Sequence, residues 1–266
     1  MTATPPGPVP GRRATDSAGV PWAGRTLLPN PFTGDEGGRA PGLARALAEW
    51  SAASGRDADP AELLRAEARV VAQLAATRVF APVVAVLGEQ DVVAAGPAGD
   101  KSADMALALL TQPDGRRGLP LFTDLDALGA WRSDARPVPV PAARAALSGV
   151  QERCEVLVLD PAGPVRFVVR RSALRALAQE REWVPAPFDG AVEVAVAEAL
   201  GDLPQVRGVR LEPGSAAEVR IVVGVVPGLD REALAAFTAR LGERLGACAV
   251  VVDRVDSLEL RLLPAP

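Results

Sequence analysis

The chain has 266 residues, 48% apolar and 23% charged, with a net charge of −4; it can bury one large core or two modest ones, and lacks the positive charge of a general phosphate-binding surface. Histidine is absent, which removes the commonest general base near neutral pH, the commonest nitrogen metal ligand and the base of Ser–His or Cys–His pairs. Cys154 and Cys248 lie far apart without metal-ligand spacing, as expected of buried apolar residues in a reducing compartment.

Residues 1–41 hold 8 Pro and 7 Gly without helical or strand periodicity, and read as a flexible arm. Within it, residues 22–37 gather Trp22, Leu27, Leu28, Asn30, Pro31 and Phe32. That density of apolar side chains marks a docking motif, either for the protein's own surface or for a partner. No basic segment followed by an apolar stretch opens the chain. The longest apolar run, Val79–Leu87, is about half of the ~20 residues needed to span a bilayer. A cytoplasmic location is the expectation.

The second region, 42–183, starts with a helix over 42–53, with Leu43, Leu47 and Trp50 on one face. Asp59-Pro60 then caps a longer amphipathic helix, in whose apolar stripe Glu67 is a lapse. Val79–Leu87 reads as a buried strand, residues 88–101 as a loop and Met105–Thr111 as a strand. A turn at 113–116 returns the chain into an antiparallel Leu119–Phe122. Thr123, with Asp126 three residues on, is expected to cap a helix carrying Leu125, Leu128 and Trp131. Pro137–Pro141 must be extended. Residues 156–159 and 165–169 form a second hairpin about Asp160, and Ser172 is expected to cap a helix with Leu174 and Leu177. This is an α+β pattern with a mainly antiparallel sheet.

Two prolines after Trp183 mark the boundary to a third region, 184–266, which carries 8 basic and 12 acidic side chains. Asp189 and Asp230 cap helices ended by Gly201 and Gly246, with strands near 206–211 and 219–226. Leu234, Phe237, Leu241 and Leu245 form the second helix's core face. Strands at Ala249–Val252 and Leu258–Leu262 complete an α-β-β-α-β-β order, close to a ferredoxin-like arrangement.

Several blocks in this order carry a family resemblance: Pro29–Asp35, Phe80–Val86, Asp114–Trp131 with its extension Asp134–Pro139, Val156–Pro164 and Arg170–Ser172. Over roughly residues 22–180 the chain resembles the SseB family, named for enhanced serine sensitivity, in its actinobacterial form. Residues 184–266 resemble, with weaker motifs, the separate domain at that end of many members. The resemblance implies a protein named for a growth phenotype and supplies no catalytic residues.

Asp114, Asp124, Asp126 and Asp160 could form a carboxylate cluster, but each also suits a turn or a helix start. Two acids flank Cys154 and oppose a reactive thiolate. Gly96, Gly99 and Lys101 lack phosphate-loop spacing. No catalytic residue, metal or cofactor is therefore expected. The candidate interaction residues are Trp22, Asn30, Pro31, Phe32, Arg116, Phe122, Trp131, Asp134 and Arg136, aromatic and Arg anchors rigidified by proline. The expected function is a non-enzymatic protein-interaction or adaptor module with a protein partner and neither nucleic acid nor membrane. The alternative is an amino-acid-sensing regulator binding a small ligand through its C-terminal region, an analogy of fold alone.

Overall fold

The structure, a computed structural model, describes residues 32, 34–55, 58–85, 105–111 and 115–265. Gly37–Pro266 form one compact unit, distinct from Met1–Glu36. Of the latter, a turn is described in which the Asp35 N–H donates to the Phe32 carbonyl. The loop expected at 88–101 lies outside the described residues.

Helices and mixed sheets alternate throughout, an α+β fold. Helix α1 (Pro41–Ala53) buries Leu43 and Leu47, and α2 (Pro60–Ala75) begins where the Asp59 carboxylate accepts the Ala61 N–H. Strand β1 (Arg78–Ala85) lies between β2 (Met105–Leu107) and β5 (Arg136–Pro141), antiparallel to both. The region read as one strand, Met105–Thr111, is divided: β2 pairs with β1, while β3 (Leu110–Thr111) pairs with β4 (Arg117–Leu121). Strand β4 runs parallel to β6 (Val156–Leu159), which forms a hairpin with β7 (Phe167–Val169). A bridge between Phe80 and Phe122 stitches the two sheets together.

Proline inside a central strand removes a ladder donor, yet Pro82 sits in β1. The register explains how. Pro82 stands opposite Pro137, Phe80 opposite Pro139 and Arg78 opposite Pro141, so the prolines of β5 are in phase. Their missing N–H groups fall on the free edge, which they blunt against further pairing. Pro82 keeps its carbonyl in use, accepting from the Ala108 N–H.

Helices α3 (Leu125–Trp131), α4 (Ala142–Gln151) and α5 (Arg171–Ala178) complete this part, whose main core runs from Leu43 to Trp183. A separate core begins at Ala186. It packs α6 (Gly190–Gly201), α7 (Arg231–Ala247) and α8 (Ala249–Arg254) on one face of a three-stranded sheet. That sheet has the order β10 (Leu258–Pro264), β9 (Val219–Val225), β8 (Val206–Pro213). Asp189 and Asp230 cap α6 and α7 as expected.

Three expectations need correction. Ala249–Val252 is helical, leaving three strands where a ferredoxin-like arrangement needs four; one buried residue, Val251, satisfies the core, and the run is too short to span the sheet. The cap of α3 is Asp124, which accepts the Ala127 N–H, because Thr123 is engaged elsewhere. Ser172 lies inside α5 and does not cap it.

Candidate functional site

The described residues that most resemble a functional site surround Asp160, at the foot of the corner between α3 and β5. Asp160 ends β6 with φ +46°, a left-handed conformation that Asp tolerates better than most residues. Its carboxylate is buried and accepts both the Thr123 N–H at 2.9 Å and the Thr123 hydroxyl at 2.6 Å. The Arg39 guanidinium donates to Asp160 at 3.0 Å and to the Thr123 hydroxyl oxygen at 2.7 Å, and pairs with Asp124 at 3.0 Å. Arg78, stacked 4.1 Å above the Phe80 ring, donates to the carbonyls of Thr123 and Gly38. The Leu125 N–H donates to the Gly37 carbonyl.

Residues 37–41, which composition assigns to the arm, are therefore fastened to the body. Burial pushes the Asp160 carboxyl above the usual Asp range; the Thr123 hydrogen bonds and Arg39 oppose that shift without cancelling it. Every oxygen of the carboxylate faces a donor. The arrangement orients backbone and holds charge in place, and leaves no oxygen directed at an open cavity.

Above this clamp, Phe122 is fully buried with Phe80, Val84 and Leu128. Its ring lies 5.2 Å from that of Trp131. Trp131 is half-buried, and the Arg132 guanidinium lies over its ring, 5.8 Å from the ring centre. Arg132 spans Asp134 with two hydrogen bonds of 3.0 and 2.8 Å. Arg136 is exposed at the start of β5, opposite Val83.

The structure thus gathers Trp131, Asp134 and Arg136 at one corner. Phe122 serves them from beneath and cannot itself meet a partner, a correction to its reading as a contact residue. Arg116 is exposed in the turn before β4, and Phe32 is half-buried in its own turn. Trp22, Asn30 and Pro31 lie outside the described residues, as does Asp114. Of the four carboxylates considered together, Asp124 and Asp160 meet through Arg39, while Asp126 is exposed.

A second polar network joins the two cores. Asp256 accepts the Ser172 N–H at 2.9 Å and its hydroxyl at 2.6 Å, and the Trp183 indole N–H donates to the same hydroxyl oxygen. Buried Glu218 accepts the N–H groups of Ala186 and Asp256. Arg171 reaches the carbonyls of Val252 and Val255. Glu67, the lapse in the α2 stripe, is buried and paired with Arg170 at 2.9 Å. Burial raises the carboxyls of Glu67 and Glu218 as well. Burial and Glu152 push the Cys154 thiol up to about 11, the reverse of what a nucleophilic thiolate requires.

Sequence reasoning missed Arg39, Arg78, Glu218 and Asp256, because their partners lie 32 to 121 residues away. The one visible signal was Glu67, an acid where the periodicity required an apolar residue.

No helix among the described residues is long and apolar enough to cross a membrane, and none of their acidic and cysteine side chains gather as a metal-binding group. Interleaved helices and mostly antiparallel sheets, with polar clamps at chain crossings, define an α+β protein built around a surface corner. The family described as SseB protein N-terminal domain matches residues 43–176, just over half of the chain. The chain belongs to the SseB family. No curated protein and no solved structure matches it.

Proposed function

We propose that this SseB-family chain is a cytoplasmic, non-enzymatic protein-interaction module with two separate contact elements, the α3–β5 corner and the Trp22–Phe32 motif. The observation that carries the reading is Trp131. Its half-buried ring is fixed against buried Phe122 and carries the Arg132 guanidinium over it, and exposed Arg136 follows five residues later. Trp and Arg on a rigid support are the side chains that most often dominate binding energy at interfaces. The best-buried carboxylates, Asp160 and Glu218, are engaged with backbone N–H groups, which suits scaffolding.

The test compares captures from native lysate by the full chain, by Trp131→Ala, by Arg136→Glu and by a control, Arg240→Ala on the outer side of α7. A protein enriched by the wild type and the control, and lost with both corner variants, is the expected result. Equal recovery with all four chains, or nothing above background, overturns the reading.

A further inference from the structure

The C-terminal sheet has one face beneath helices and one face bare. On the covered face Val219, Ile221, Val223 and Val225 are buried. On the bare face the strand registers set three rows. The first is Glu212, Arg220 and Glu259; the second is Arg210, Val222 and Arg261; the third is Gly208, Gly224 and Leu263.

The first row satisfies itself: Arg220 bonds Glu259 at 2.7 Å and lies 4.0 Å from Glu212. The second row holds two arginines, and among the described residues only Arg210 has a carboxylate partner, Glu212. The Arg261 side chain has no hydrogen bond or ion pair among the described residues. The third row is nearly bare backbone, and a side chain added at Gly208 would enter open space. A trough of about 580 Å³ lies there, with Arg207 at its rim. Among the described residues, the Arg207 guanidinium meets only the carbonyls of Pro204 and Val206.

Charge on this domain is segregated. Residues 184–266 carry 8 arginines and 12 acids, yet Arg207, Arg210, Arg220 and Arg261 share the bare face and its rim with only Glu212 and Glu259. A net-acidic domain that collects half of its arginines around a side-chain-free trough has the charge pattern of an anion-recognising surface. The floor, however, is apolar: Leu263 and Ala265 line it, with Val222 beneath them at 3% exposure. A bare phosphate leaves that floor unused. A nucleic acid needs a longer basic track and meets a chain of net charge −4. An extended peptide with alternating acidic and apolar side chains satisfies both parts, and glycines allow its backbone to approach closely.

We infer that the bare face of the C-terminal sheet is a docking surface for an acidic, extended protein segment, seated over Gly208 and Gly224 with its carboxylates on Arg207, Arg210 and Arg261. This surface is separate from the α3–β5 corner, so either can fail without the other.

The experiment uses the full chain and a fluorescein-labelled octapeptide of alternating Glu and Leu, read by anisotropy. A Lys–Leu octapeptide is the charge control. Inorganic phosphate, duplex DNA and free serine are the competitors. Binding of the Glu–Leu peptide alone, weakened by salt, is expected. The double variant Arg210→Glu, Arg261→Glu should weaken it at least ~10-fold, about 1.4 kcal/mol. Gly208→Leu, whose Cβ enters open space at the trough, should weaken it too, while Arg240→Ala changes nothing. Circular dichroism confirms that each variant is folded.

The proposal is overturned if the wild type does not bind the peptide, if binding survives both the charge reversal and Gly208→Leu, or if phosphate, DNA or serine displaces the peptide at stoichiometric concentration.

Discussion

The clamp at Asp160 and the seam at Asp256 and Glu218 use the same chemistry for different ends. In each, a buried or half-buried carboxylate accepts both the N–H and the hydroxyl of one residue, Thr123 in the clamp and Ser172 in the seam. The clamp adds Arg39 and so ties down a short stretch of chain beside a surface corner. The seam adds Glu218 and Trp183 and locks two hydrophobic cores into one compact unit. Distant polar pairs therefore fix the shape of a surface in one place and the relation between cores in the other.

Substitution separates the two most strongly. Asp160→Ala leaves both Thr123 donors without their acceptor, while Arg39 keeps Asp124, and should cost ~3 kcal/mol in urea unfolding. Asp256→Ala removes acceptors from Ser172 in a more exposed place and should cost ~2 kcal/mol. If the order is reversed, the seam rather than the clamp is the stronger device.

A smaller effect is expected at Gly37, which has φ +81° and lies where a Cβ would run into the Leu125 side chain. Gly37→Ala should lower stability by ~1–2 kcal/mol. Gly34→Ala has a similar φ and nothing within 4 Å, and should cost less. Equal costs would mean that the 37–125 contact contributes nothing.

The pH response sharpens the comparison, since both networks contain carboxyls raised by burial: Asp160 in the clamp, Glu67 and Glu218 at the seam. Such groups bind protons more readily folded than unfolded. The folded state gains protons as pH falls toward the ordinary carboxylate range, and stability rises over that window. No histidine titrates there to mask the trend. The urea midpoint should increase from about pH 7 to about pH 5.5. A decrease would show that the hydrogen bonds outweigh burial.

Local rules made much of this molecule readable. Asp59, Asp189 and Asp230 act as caps because a short carboxylate reaches an N–H two or three residues ahead wherever a helix starts. The β6–β7 hairpin follows from its alternation and turn. Thr123 and Ser172 misled for one reason: each has the composition of a cap, but a distant carboxylate claims its N–H and hydroxyl. Ala249–Val252 misled because a short apolar run has no period that separates strand from helix. At the corner, the succession of Trp131, Asp134 and Arg136 from the end of α3 into β5 was legible from spacing. The clamp beneath them was not, because no local pattern links residue 39 to residue 160.

Amide hydrogen exchange on Asp160→Ala, compared with the wild type, tests the central claim most directly. Loss of protection at the Leu125 N–H, which is bonded to Gly37, with the N–H groups of Ser172, Ala186 and Asp256 still protected, is the predicted result. Equal loss at both places, or protected Leu125, would contradict the view that the clamp alone holds the corner.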